Sequence, residues 1–501
     1  MMIQKHLIVK ILRSAPAILL MGIILISSNT NVAYADVPYE SYSYNFWGDD
    51  VRQPHSYLYS HTLEAGDIGT ALSYPQDMFY YNKELYIADT NNSRILKLSA
   101  EGELLLEITC GADEEDRLNK PQGVFVTPDG TIYAADTDNG RIVEFAPDGS
   151  FLREIGRPVT ELISEAQVYK PTKLAVDHSG RIYVIAYGIN MGLVEFDRNG
   201  DFQGFMGAAK VSISTFEYIW KNYFSTKEQR ARMETIIPTE YSSIFVDEEN
   251  FIYATISNLS EEDYMLGADT IRRLNPTGTD VLRRLGKWSI IGDLYSTADA
   301  DWSVFTDAYA TDYGCYFILD SAGGKIFAYD YDGNNLFCFG GAGSRDGTLQ
   351  NPVALTLSEH EEKMYILDSV RGSILIYDIT EYGKHLLNAM RSNYRGDAAT
   401  ANQEWQEVLK ANANSELAYI GLGKTYLKSG DYKKAMEYFK LGNSRKYYSK
   451  AFYYYRKTQM EHNFGIIMAG IISVIAVIML LIWVKKIRRW AGEVRCTMSK
   501  R

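Results

Sequence analysis

Cysteine is nearly absent: Cys110, Cys315, Cys338 and Cys496 are all the chain has in 501 residues. Four are too few for a disulfide framework, so a large apolar core must hold the fold. Histidine is also scarce, and His55, His61, His178, His360, His385 and His462 show no metal-ligand spacing. No nucleophile elbow, phosphate loop or dinucleotide fingerprint stands in a strand-to-helix context. The glycine-rich run 340–343 has no helix behind it. Basic charge is short too. The net charge is −12, with +3 in residues 1–35 and +6 in 485–501, which leaves −21 for residues 36–484. Such an acidic body excludes nucleic acid as the main partner.

Uncharged apolar stretches occur at both ends. Lys5, Lys10 and Arg13 flank the run 15–26, and Ala33-Tyr34-Ala35 fits a small-x-small cleavage site. Residues 1–35 therefore read as a secretory signal peptide. Residues 464–484 carry no charge over 21 positions. As a helix they span about 31 Å, enough to cross a bilayer core. Lys485, Lys486, Arg488 and Arg489 follow at once. The positive-inside rule then assigns 485–501 to a cytoplasmic tail and the N-terminal body to the outside.

Between the ends the sequence repeats. KELYIADTNNSRILKLSAEGELL (83–105) aligns with GTIYAADTDNGRIVEFAPDGSFL (130–152), and weaker copies begin near 180, 251, 315 and 363. The repeat aromatic recurs as Tyr86, Tyr133, Tyr183, Tyr253, Phe317 and Tyr365. Alternating strands with Asp-Gly and Asn-Gly turns, in six copies of four strands, predict a mainly β, six-bladed propeller over 36–382. Residues 57–64 resemble a fourth strand and are expected to complete blade 6. Cys315 and Cys338 fall on the second and fourth strands of one blade, too far apart to bridge. A helical insertion is expected over 208–237, with Ile213, Phe216, Trp220, Tyr223 and Phe224 on one face.

Residues 383–462 turn helical. AYIGLGKTYLKSGDYKKAMEYFKLG (418–442) matches a TPR pattern, with small residues at Gly421, Gly423 and Ala435. About one and a half such repeats are too few for a free solenoid, so they are expected to pack on the propeller or on a partner.

Topology puts the loops between second and third strands on one face, opposite the exit to the helices. Binding candidates there are Asp89, Asn92, Arg94, Asp136, Asn139, Arg141, Tyr187, Asn190, Asn258, Asp263, Asp320 and Asp368, with Trp220 of the insertion. Asp89, Asp136, Asp320 and Asp368 share one repeat position. They either converge on a cation near the axis or cap their own loops; Ala186 and Ile256 break the ring and favour caps. The 38 tyrosines admit a carbohydrate ligand, although strands use tyrosine freely.

The first two repeats resemble NHL repeats. The whole layout resembles membrane-anchored NHL-repeat, gluconolactonase-like proteins of Gram-positive bacteria. KEQRARMETIIPTEYSSIFVDEENFIYAT (227–255) and YKKAMEYFKLGNSRKYYSKAF (432–452) carry that likeness. It implies a membrane setting beside ABC-type transporter components. A lactone hydrolase of this kind needs acidic and amide ligands for a divalent cation at the propeller centre, and those ligands are not evident in the sequence. The expectation is therefore a non-enzymatic binding or scaffold protein with no cofactor; the alternative is a metal-dependent lactone hydrolase or lyase.

Overall fold

Alternating apolar residues and tight glycine turns build the same hairpins again and again. In the loop after Val126, Gly130 adopts φ +85° and donates its N–H to Thr127, while the Thr127 N–H bonds back to Thr131. That left-handed position is why Asp-Gly recurs at these corners. The computed structural model describes residues 37–164, 166–189, 191–207, 240–265, 267–294 and 302–498. The expected signal peptide, the insertion 208–237 with Trp220, and Asn190 lie outside the described residues.

Six antiparallel sheets form the blades. Blades 1, 2 and 3 begin with the strands Asp77–Tyr81, Gly123–Val126 and Lys170–Val176. Blades 4, 5 and 6 begin with Ser243–Val246, Phe305–Ala310 and Pro352–Leu357. These first strands are innermost, and they touch one another around the axis. The mainly β, six-bladed expectation is met.

Two details depart from four strands per repeat. Blade 4 has three strands among the described residues, the last being Ile271–Leu274. Beyond it a single bridge from Leu274 to Asp280 remains; the chain then peels away, and the Leu285 and Gly286 N–H groups bond the Asp332 carbonyl of blade 5. Blade 5 instead gains two strands, Glu40–Tyr44 and Asp50–Arg52, on its outer edge. The strand Tyr57–Leu63 pairs with Ser373–Ile379 as the outer strand of blade 6. The N-terminal segment thus covers two sheet edges. Cys110, Cys315 and Cys338 are free thiols, the last two buried.

The chain leaves blade 6 into helices α1 (Glu381–Arg395), α2 (Ala398–Ala411), α3 (Glu416–Ser429), α4 (Tyr432–Leu441) and α5 (Arg445–His462). Side chains of Thr380, Asp397, Ser415 and Asp431 cap the first four, and left-handed Gly396 and Gly430 end α1 and α3. Gly421 lies against the Trp405 indole and Gly423 against the Phe439 ring, so the small residues allow close helix packing. Leu386, Trp405 and Leu422 share one buried core with Phe317, Phe337 and Tyr377 of blades 5 and 6. Arg391 pairs with Glu361, and Arg395 with Asp312 at 2.7 Å, both on hairpins joining first and second strands. The helices therefore dock on the face opposite the second-to-third loops. Helix α6 (Phe464–Met498) follows, and its stretch Phe464–Ala491 is long and apolar enough to cross a membrane. None of its most apolar window is buried against the rest of the chain.

Candidate functional site

The candidates on the loop face divide by what their side chains touch. Asp89 and Asp136 end the second strands of blades 1 and 2 and are fully buried. Asp89 accepts from the Ser73 N–H at 2.7 Å, Asn92 Nδ2 at 2.8 Å and Arg94 Nε at 2.7 Å. Asp136 repeats the pattern with the Asn119 N–H, Asn139 Nδ2 and Arg141 Nε. Each carboxylate ties the incoming link to its own hairpin. Asp368 does so through the Gln350 and Arg371 N–H groups, and Asp320 through those of Val304 and Ala322. These aspartates do not meet; each satisfies backbone donors of its own blade. Asp263 accepts from the N–H and hydroxyl of Ser260. Tyr187 and Asn258 are exposed, and their side chains make no such bond among the described residues.

The axis holds a charged cluster that the repeat reading overlooked. In each first strand, the residue opposite the position two beyond the repeat aromatic is Asp77, Gly123, Lys173, Ser243, Asp307 and Ala354 in blade order. Four of these are polar and all four are buried. Lys173 Nζ pairs with Asp77 and donates to the Gln76 carbonyl at 3.1 Å. The other Asp77 oxygen accepts from the Val124 N–H at 2.9 Å. Asp307 accepts from Ser243 Oγ at 2.5 Å and the Leu355 N–H at 2.7 Å. One carboxylate therefore links blades 1, 2 and 3, and the other links blades 4, 5 and 6. Nearer the helices, the rings of Phe79 and Phe125 meet at 4.6 Å, and those of Phe245 and Tyr309 at 4.8 Å. A void of about 30 Å³ remains at the axis, room for one water molecule.

This donor set does not fit a divalent cation. Calcium or magnesium needs several free oxygens around one point. Here an ammonium stands among the carboxylates, and their oxygens are spent on Nζ, a hydroxyl and backbone N–H groups. No cluster of three or more His, Cys, Asp or Glu that could hold a metal occurs among the described residues.

Burial pushes Asp307 up to about 6; the Lys173 charge opposes the rise and the Asp77 charge adds to it. A carboxyl raised from 3.8 holds its proton more tightly when folded. Its contribution is thus fully present below about pH 4 and is lost as pH rises through 6. The difference amounts to about 3 kcal/mol. Asp307→Asn keeps a partner for Ser243 and removes the charge. We expect the variant to exceed the parent in stability by up to about 3 kcal/mol at pH 7.5 and to match it at pH 4. Urea melts of the detergent-purified protein at both pH values check this; parallel pH profiles would count against it.

Fold and axis together define the class: a six-bladed β-propeller with a C-terminal helical array. Within it, residues 80–168, which span most of blades 1 and 2, match the family model described as the SMP-30/Gluconolactonase/LRE-like region. No curated protein matches the chain. Among solved structures, virginiamycin B lyase from Staphylococcus aureus is 11% identical, with TM-score 0.38, covering 65% of this chain and 100% of that one. A gluconolactonase from Xanthomonas campestris is 12% identical, with TM-score 0.40, covering 66% and 99%.

Proposed function

We propose that the chain is a membrane-anchored, extracytoplasmic binding or scaffold protein. In this reading its propeller stands outside the cell membrane on TPR-like helices, held by one span with the tail 485–501 in the cytoplasm. It presents the loop face to a membrane partner, of the kind found in ABC-type transport systems. The observation that carries the reading is the run of helices from blade 6 through α5 into the unburied apolar helix α6. The axial cluster supports it, because its charged groups are spent on joining blades.

Crosslinking of the full-length protein in native membranes, followed by mass spectrometry of what co-purifies, tests it. Membrane subunits captured by the full chain but not by a chain lacking 37–379 support the reading. Equal capture by both, or none by either, counts against it. The family match over 80–168 favours a second reading, a metal-dependent lactone hydrolase or lyase. Stoichiometric divalent metal in the purified protein, lost in Asp77→Asn and Asp307→Asn, would favour that reading over ours.

A further inference from the structure

A cavity of about 330 Å³ lies between the propeller and its helices, away from both the axis and the loop face. It is formed where the chain peels away from blade 4. The peeled stretch supplies Lys287 and Trp288, the N-terminal segment supplies Phe46, and the helices supply Lys424, Arg445 and Lys446. Its volume falls within the range of small-ligand pockets.

The charges that line it are mostly positive, although the body as a whole is acidic. Four cations line the cavity against two carboxylates, Asp332 and Glu416. Asp332 is engaged by Arg283 at 3.1 Å and Lys424 at 3.5 Å, and Glu416 accepts from Asn443 Nδ2 at 2.6 Å. Lys287, Arg445 and Lys446 form no ion pair among the described residues. Lys287 is held by rings instead: its Nζ lies over Phe46 and 5.1 Å from the centre of the Trp288 ring. Arg445 and Lys446 open α5, where the helix dipole disfavours cations. No acidic residue relieves that first turn, and the Ser444 hydroxyl makes no capping bond. Cations without an ion pair, an uncapped helix start and aromatic walls thus face one mostly apolar cavity. The amides of Asn45, Asn334 and Asn443 line it too, but they already donate to Asp49, Asp330 and Glu416.

We propose that this cavity binds a small anionic carbohydrate, a sugar bearing a carboxylate or a phosphate. The anion sits against Arg445, Lys446 and Lys287, and an apolar sugar face lies along the Trp288 side. The inference is independent of the membrane-partner reading, since it uses neither the loop face nor α6.

The test is calorimetric titration of the detergent-purified full chain with galacturonate and with glucose 6-phosphate, using galactose and glucose as neutral counterparts. Saturable binding of either charged sugar, at least tenfold tighter than its neutral counterpart and weakened by salt, is the expected result. Which of the two binds decides between carboxylate and phosphate. The double variant Arg445→Glu/Lys446→Glu places acids at a helix start, which favours the helix, so the fold should hold or gain stability. Its affinity should fall at least tenfold. Failure of both charged sugars to bind, equal binding of the neutral ones, or affinity unchanged in the double variant would overturn the proposal.

Discussion

Replacing Lys173 with methionine should cost about 3–5 kcal/mol, since it removes one partner of a buried ion pair and leaves the other charged. Lys173 sits on the innermost strand of blade 3 with Asp77 as its partner, and its charge also acts on Asp307. Without it two buried carboxylates face each other uncompensated, and one of them must take up a proton. The loss should therefore be largest near pH 8 and shrink towards pH 5. Adding Asp77→Asn to Lys173→Met removes one of the stranded charges and should restore most of the stability. Urea denaturation of the two single variants, the double variant and the parent gives the coupling directly. A loss below about 1 kcal/mol, or no recovery in the double variant, would show that the pair does not hold the blades together.

Tyr57→Ala should be as damaging by another route, at about 3–5 kcal/mol. Tyr57 is fully buried, its hydroxyl donates to the Glu361 carbonyl at 2.8 Å, and its ring stacks on Phe339 of blade 5 at 5.8 Å. It begins the strand that closes blade 6, so truncation opens a cavity at the seam between the last two blades. Amide exchange should quicken in both Ser373–Ile379 and Asn335–Gly340, on either side of that seam. Ser60→Ala, on an exposed position of the same strand, should change stability by less than about 0.5 kcal/mol. Faster exchange confined to one blade would contradict the seam argument.

The propeller was legible because its signals are local. Each blade carries an aromatic at a fixed place, and several sharp corners, at Gly130, Gly149, Gly200 and Gly333, carry the Asp-Gly or Asn-Gly chemistry that their positive φ favours. The two strands added to blade 5 were not legible. Residues 40–52 carry no copy of the repeat, and their partner strand lies about 300 positions away. That blade 4 has no fourth strand among the described residues was hidden likewise, since its chain keeps only a bridge from Leu274 to Asp280 before it bonds to blade 5. On the loop face, aspartate, asparagine and arginine recur because turns need caps, and a recurring cap resembles a recurring ligand. The axial cluster had a signal of its own: charge at Asp77, Lys173 and Asp307, in a column that elsewhere holds Gly, Ser or Ala. Comparing columns across the repeats, instead of motifs within one, would have found it. The cavity beside the helices draws its lining from four distant segments, and no single stretch announces it.

Closure by the N-terminal segment also sets an order of events in time. Residues 40–63 leave the ribosome first, yet their partners at 335–379 follow some 300 residues later. At about 5–20 residues per second that is a wait of roughly 15–60 s. Throughout it, a tyrosine-rich segment has no native sheet to join, and the finished blades have no closed ring. The newborn chain is thus at its most vulnerable to strand exchange with a sister chain just before residues 335–379 emerge.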